Sequence, residues 1–172
     1  MMTAGKRISK QGPGILRDLG LLVVCLLIVY AAAAIGAVAS LNAPAFYASL
    51  ARPGWAPLAS VFGPVWTLLY SLMGIALWRV WRSPSRHAPA IALFLVQLVL
   101  NALWSWLFFY WHLGAPAFAW IVVLLAMIMA TMVTFWRVNR VAALLLVPYL
   151  GWVAFASILT WSIWRANPAL LG

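Results

Sequence analysis

Indole, phenol and carboxamide groups recur at helical spacing within three apolar stretches of this 172-residue chain. Trp66 and Tyr70 stand one helical turn apart, as do Trp152 and Ala156, while Gln97, Asn101 and Trp104 follow an i, i+4, i+7 pattern. Each set therefore shares one helix face. Such groups stack on flat rings and supply a few directional hydrogen bonds, which is the chemistry of binding rather than of acid–base turnover. The one acidic residue, Asp18, precedes all three stretches. No carboxylate is thus placed for general catalysis or for a proton or cation relay. His87 and His112 fall between apolar stretches and read as solvated loop residues rather than haem ligands.

The elements that must position these groups are membrane helices. The chain is 67% apolar, with a mean hydropathy of +1.06, which excludes an ordinary soluble domain. Apolar runs of about 20 residues span a bilayer as helices. They read as Leu19–Leu41, Ser60–Trp81, Pro89–Tyr110, Ala115–Trp136 and Val141–Trp164. The expected fold is an all-α integral membrane protein, a bundle of five transmembrane helices over 19–167. A basic, flexible segment 1–18 precedes it and a short tail 168–172 follows. The first run is longer than the 7–15 residues usual for a secretory signal core, so it counts as a helix, although Ala37-Val38-Ala39 resembles a cleavage site.

Charge orients the bundle. An odd number of spans places Lys6, Arg7, Lys10, Arg17, Arg79, Arg82, Arg86, Arg137 and Arg140 on one side, against Arg52 and Arg165 on the other. In a bacterial cell membrane that bias makes the N-terminus cytoplasmic. The net charge of +10 flanks helices instead of forming a stripe, so its partner is lipid headgroups and not nucleic acid. Cys25 is alone, which leaves no intramolecular disulfide and no cysteine metal site. The connection 42–59 is the one long loop, interrupted by Pro44, Pro53, Gly54 and Pro57. Pro148 should bend the fifth helix. The small residues Ala31 to Ala34, Gly36 and Ala37 suit close helix packing, within the chain or at a homodimer interface.

Depth brings the polar and aromatic sets together. Most tryptophans sit near predicted helix ends and form an aromatic belt. Counted at about 1.5 Å per residue from the long-loop face, Trp66 and Trp104 lie about 9 Å deep, Asn101 about 13 Å and Tyr70 about 15 Å. Ala156 and Trp152 fall at about 12 and 18 Å on the same scale. Buried amides must be bonded, so Gln97 and Asn101 face the bundle interior. Two arrangements satisfy this pattern: polar glue between tightly packed helices, or a pocket in which small Ala156 leaves room for a planar guest. In the second, Arg52 and Trp55 of the long loop form a lid, with Arg52 pairing a guest carboxylate or snorkelling to headgroups.

The runs Arg52-Pro53-Gly54-Trp55-Ala56-Pro57 and Phe62-Gly63-Pro64-Val65-Trp66-Thr67-Leu68-Leu69-Tyr70 resemble the translocator protein family, also called tryptophan-rich sensory proteins or peripheral benzodiazepine receptors. The likeness continues through Leu100-Asn101-Ala102-Leu103-Trp104 and Val147-Pro148-Tyr149-Leu150-Gly151-Trp152-Val153-Ala154-Phe155-Ala156, covering roughly 42–167. It implies a five-helix, commonly dimeric receptor for porphyrins such as protoporphyrin IX, haem, sterols and benzodiazepine-type ligands. The implied ligand-binding positions are Trp66, Tyr70, Asn101, Trp104, Trp152 and Ala156, with no required cofactor and no metal. Other roles that the resemblance raises are light-dependent porphyrin breakdown, with Trp66 as the first reacting group, and passive transport or an adaptor role. It also admits a bacterial or mitochondrial outer membrane. Three features depart from the family pattern: Leu58 replaces a second proline in the loop, Trp161 stands where the animal sterol motif has tyrosine, and the basic N-terminal segment is extra.

Overall fold

The computed structural model of the chain describes residues 12–84 and 87–172. The basic residues Lys6, Arg7, Lys10 and Arg86, used above for orientation, lie outside these. The described residues form helices α1 (Gly12–Ala39), α2 (Ala43–Ser49), α3 (Ala59–Trp81), α4 (Ala88–Ser105), a π-helical turn (Trp106–Tyr110), α5 (Gly114–Val138), α6 (Arg140–Leu145), α7 (Val147–Ala166) and α8 (Pro168–Leu171). Five spans are long and apolar enough to cross a membrane: α1, α3, α4 with the π turn, α5, and α6 with α7. The chain is therefore an all-α five-helix membrane bundle. Around the bundle α1 lies between α3 and α4, α5 packs on α4 and α7, and α6 closes the ring against α3 and α5.

Four elements differ from the sequence expectation, each for a local reason. Helix α1 starts at Gly12, not Leu19, so residues 12–18 are helical. Its added turns are fastened to the end of α3: Arg82 Nη2 donates to Asp18 Oδ2 at 2.8 Å, and Trp78 Nε1 to the Asp18 carbonyl at 3.1 Å. The long loop contains α2, because Pro44 sits in its first turn, where a missing N–H costs nothing. The third span ends in a π turn, closed by a bond from Trp111 N–H to the Trp106 carbonyl at 2.9 Å. The fifth span is broken at Leu146 instead of merely bent, and Pro148 occupies the first turn of α7. Its ring would clash with the carbonyl four residues earlier, so α6 stops before it.

Packing divides the bundle into two halves. In the half near Arg79, Arg82 and Arg137 the core is filled, with Phe94 stacked on Phe135 at 5.6 Å and Met73, Leu77, Leu124 and Ile128 fully buried around them. In the other half α1 leans across the bundle. Gly74 of α3 faces Leu26 and Val29 of α1, whereas Gly36 lies against Ala102 and Ser105 of α4. That lean separates α1 from α3 beneath α2.

Gly114, at the start of α5, has no room for a side chain. A Cβ there would collide with the Trp164 indole and lie 2.9 Å from the Leu171 carbonyl. Gly114→Ala is expected to destabilise the protein by about 1–3 kcal/mol through overpacking. A lowered Tm in detergent would register it, and an unchanged Tm would contradict the packing described.

Candidate functional site

The gap left by α1 is a cavity of about 580 Å³ in the half of the bundle beneath α2. Its wall from α3 is built at one-turn spacing, with Phe62, Trp66 and Tyr70 in register. Helix α4 contributes Asn101 and Trp104, the π turn Phe109, and α7 Trp152 and Ala156. The six positions expected from the sequence to bind a ligand thus line one hollow.

Asn101, only 3% exposed, donates from Nδ2 to the Tyr70 hydroxyl at 2.9 Å, which joins α4 to α3 and fixes both polar groups at the cavity surface. Gln97 on the same face accepts from the Tyr149 hydroxyl at 2.9 Å but does not line the cavity. The two sequence alternatives therefore divide between two amides: Gln97 is glue, and Asn101 is glue and wall together. Gln97 Nε2 and Trp104 Nε1 are buried without hydrogen-bond partners.

Rings carry most of the surface. Trp66 lies 5.5 Å from the Tyr70 ring and 6.3 Å from that of Tyr149. Phe62 meets Trp152 edge-on at 5.8 Å, and Trp104 stacks on Phe108 at 5.5 Å with an interplanar angle of 7°. That stack is set by the π turn, and such turns recur at functional sites. Among the described residues no Lys, Arg, His, Asp or Glu lines the cavity. Its polarity comes from hydroxyls and one carboxamide.

Sequence reasoning missed the fourth wall. The small residues of α1 were read as helix packing, and Gly36 does pack on α4. Ala33, Ala34, Ala37 and Ser40 also line the cavity, and Tyr30 bounds it. The Tyr30 hydroxyl lies 2.8 Å from Ser71 Oγ, which ties α1 back to α3. The signal available was the same run of small residues, which serves both purposes at successive turns.

Nor do Arg52 and Trp55 form the roof. Pro44 and Tyr47 of α2 line that end of the cavity. The Arg52 guanidinium sits 4.7 Å over the Tyr47 ring, and Trp55, 50% exposed, packs edge-on against Phe155 at 5.8 Å. Arg52 therefore backs the roof as a cation on an aromatic face. Burial raises the Tyr47 hydroxyl pKa, and Arg52 partly offsets it; the hydroxyl donates to the Pro57 carbonyl at 3.1 Å.

One polar residue holds this loop in place. Asn167, at the end of α7, accepts from Ala51 N–H at 2.8 Å and donates to the Ala51 carbonyl at 2.9 Å and the Ile163 carbonyl at 2.8 Å. His112 stacks on Phe46 of α2 at 4.0 Å, and neither it nor His87 lines the cavity. Among the described residues no cluster of His, Cys, Asp or Glu could hold a metal ion.

A five-span bundle with an aromatic, uncharged hollow under the first loop defines a class of small integral membrane proteins. Residues 22–165 match the TspO/MBR family, to which the chain belongs. It is 42% identical to the tryptophan-rich protein TspO of Chlorobaculum tepidum over 127 residues, covering 72% of this chain and 80% of that protein. Protein CrtK of Rhodobacter capsulatus is 38% identical over 142 residues, 80% of this chain and 89% of the relative. The human translocator protein is 38% identical over 130 residues, 71% and 75% of the two chains.

Proposed function

We propose that this chain is a membrane receptor or carrier that holds one planar, mostly apolar guest of the tetrapyrrole class, protoporphyrin IX or haem, in the cavity beneath α2. The single observation carrying this reading is that six aromatic, amide and small side chains from three spans line one hollow of about 580 Å³. That size lies within the roughly 300–1,000 Å³ of small-molecule pockets. Trp66, Trp104 and Trp152 offer faces for stacking, and Asn101 and Tyr70 offer directional bonds at one edge. The arginine asymmetry supports a cytoplasmic N-terminus, which puts the cavity in the opposite half of the bilayer.

Titration of the detergent-purified protein with protoporphyrin IX should quench tryptophan fluorescence to a one-to-one endpoint. Trp152→Ala removes a stacking face and Asn101→Leu a hydrogen-bonding edge, each worth about 1–1.5 kcal/mol. Each variant is therefore expected to bind about tenfold more weakly. Equal affinity of both variants and the parent would reject this site.

A further inference from the structure

A second concavity, of about 340 Å³, lies on the outer surface between the end of α5 and α6, at the arginine-rich end of the bundle. It lies at the break in the fifth span at Leu146, where α6 and the first residue of α7 face α5. Its walls are Met132, Val133 and Trp136 on one side and Leu144 and Val147 on the other, with Arg137 at its mouth. Arg140 stands beside it, its guanidinium 5.6 Å from the Trp136 ring centroid.

We propose that this groove binds one anionic phospholipid, with an acyl chain along the apolar walls and the headgroup phosphate on Arg137 and Arg140. Charge supplies the first argument. The chain has a single acidic side chain, Asp18, and Arg82 occupies it at 2.8 Å, so Arg137 and Arg140 have no carboxylate to pair with. The counterion of two arginines beside one groove comes from outside the chain, and at a membrane interface lipid phosphate is the anion concentrated there. Depth supplies the second. Val133 lies about one helical turn from Arg137 along α5, roughly 6 Å toward the hydrocarbon, the direction an acyl chain takes from its phosphate. The indole of Trp136, half exposed, occupies the boundary where aromatic side chains favour the headgroup level. A second copy of this chain fits the groove less well, because its corresponding face carries the same positive charge.

Native mass spectrometry of the full chain, released from detergent micelles holding equal phosphatidylglycerol and phosphatidylcholine, tests the assignment. The parent should retain one phosphatidylglycerol molecule. Arg137→Gln with Arg140→Gln should lower that retention roughly fivefold for each arginine removed. Val133→Trp keeps both charges but fills the groove and should also abolish the adduct. Leu144→Trp does the same from the opposite wall, should the first variant fail to fold. Helical content and protoporphyrin titration serve as fold controls, since none of these residues lines the inner cavity. Equal retention of the two lipids would overturn the proposal. So would retention unchanged by both groove-filling variants, which would mean headgroup attraction alone. A dimer mass lost on filling the groove would overturn it in favour of a second copy.

Discussion

Ala156→Phe is expected to weaken binding of a planar guest at least thirtyfold while leaving the five-helix fold in place. Ala156 is 8% exposed and lines the cavity one turn from Trp152 on α7, so a phenyl ring there extends into the hollow. The usual overpacking cost of about 1–3 kcal/mol is relieved because the added atoms enter an existing void. The phenyl ring takes space the guest occupied, and the resulting clash costs about 2 kcal/mol or more, which corresponds to roughly thirtyfold in Kd. Tryptophan-quench titration with protoporphyrin IX measures the affinity, and thermal unfolding measures the fold. An unchanged Kd in a well-folded Ala156→Phe protein would place the guest elsewhere.

Asn167→Ala should release the long loop. The substitution removes three hydrogen bonds of 2.8–2.9 Å and leaves both backbone groups of Ala51 without their partner. The bond to Ile163 lies at the end of α7 itself, so the loop loses two bonds; at about 1 kcal/mol for each the loss is about 2 kcal/mol, enough to raise its local opening about thirtyfold. Hydrogen exchange at residues 50–58 should accelerate accordingly, with little change in α4 or α5. Asn167→Asp keeps an acceptor for Ala51 N–H but loses the donor, so its effect should be intermediate. Exchange at Ala51 as slow as in the parent would show that the contacts of Tyr47 with Arg52 and Pro57 hold the loop without Asn167.

The five spans were legible because hydrocarbon thickness sets helix length, and the cavity-lining positions Trp66, Tyr70, Asn101, Trp104, Trp152 and Ala156 because one-turn spacing and overlapping depth bring three helices to the same half of the bundle. Less was legible where one residue type has two meanings. Pro44 was read as a loop breaker, yet at a first turn proline starts a helix, and α2 with Tyr47 became the roof. Alanines of α1 pack and line a cavity by turns, and only the lean of α1 between Gly74 and Gly36 decides which. Asn167 escaped notice because its partner, Ala51, is 116 residues away and contributes only backbone groups. The π turn follows no composition rule; it depends on how the ring-rich segment Trp106–Tyr110 seats its neighbours.

The filled half of the bundle has a bearing on traffic. Behind the hollow, Leu77, Phe94, Leu124, Ile128 and Phe135 form a plug with no more than 1% of their surface accessible. The hollow is a cul-de-sac. Passage from the hollow through the interior to the arginine-rich end would require parting the stacked Phe94 and Phe135 rings. The interior is open toward α2 and stoppered toward the arginine-rich end.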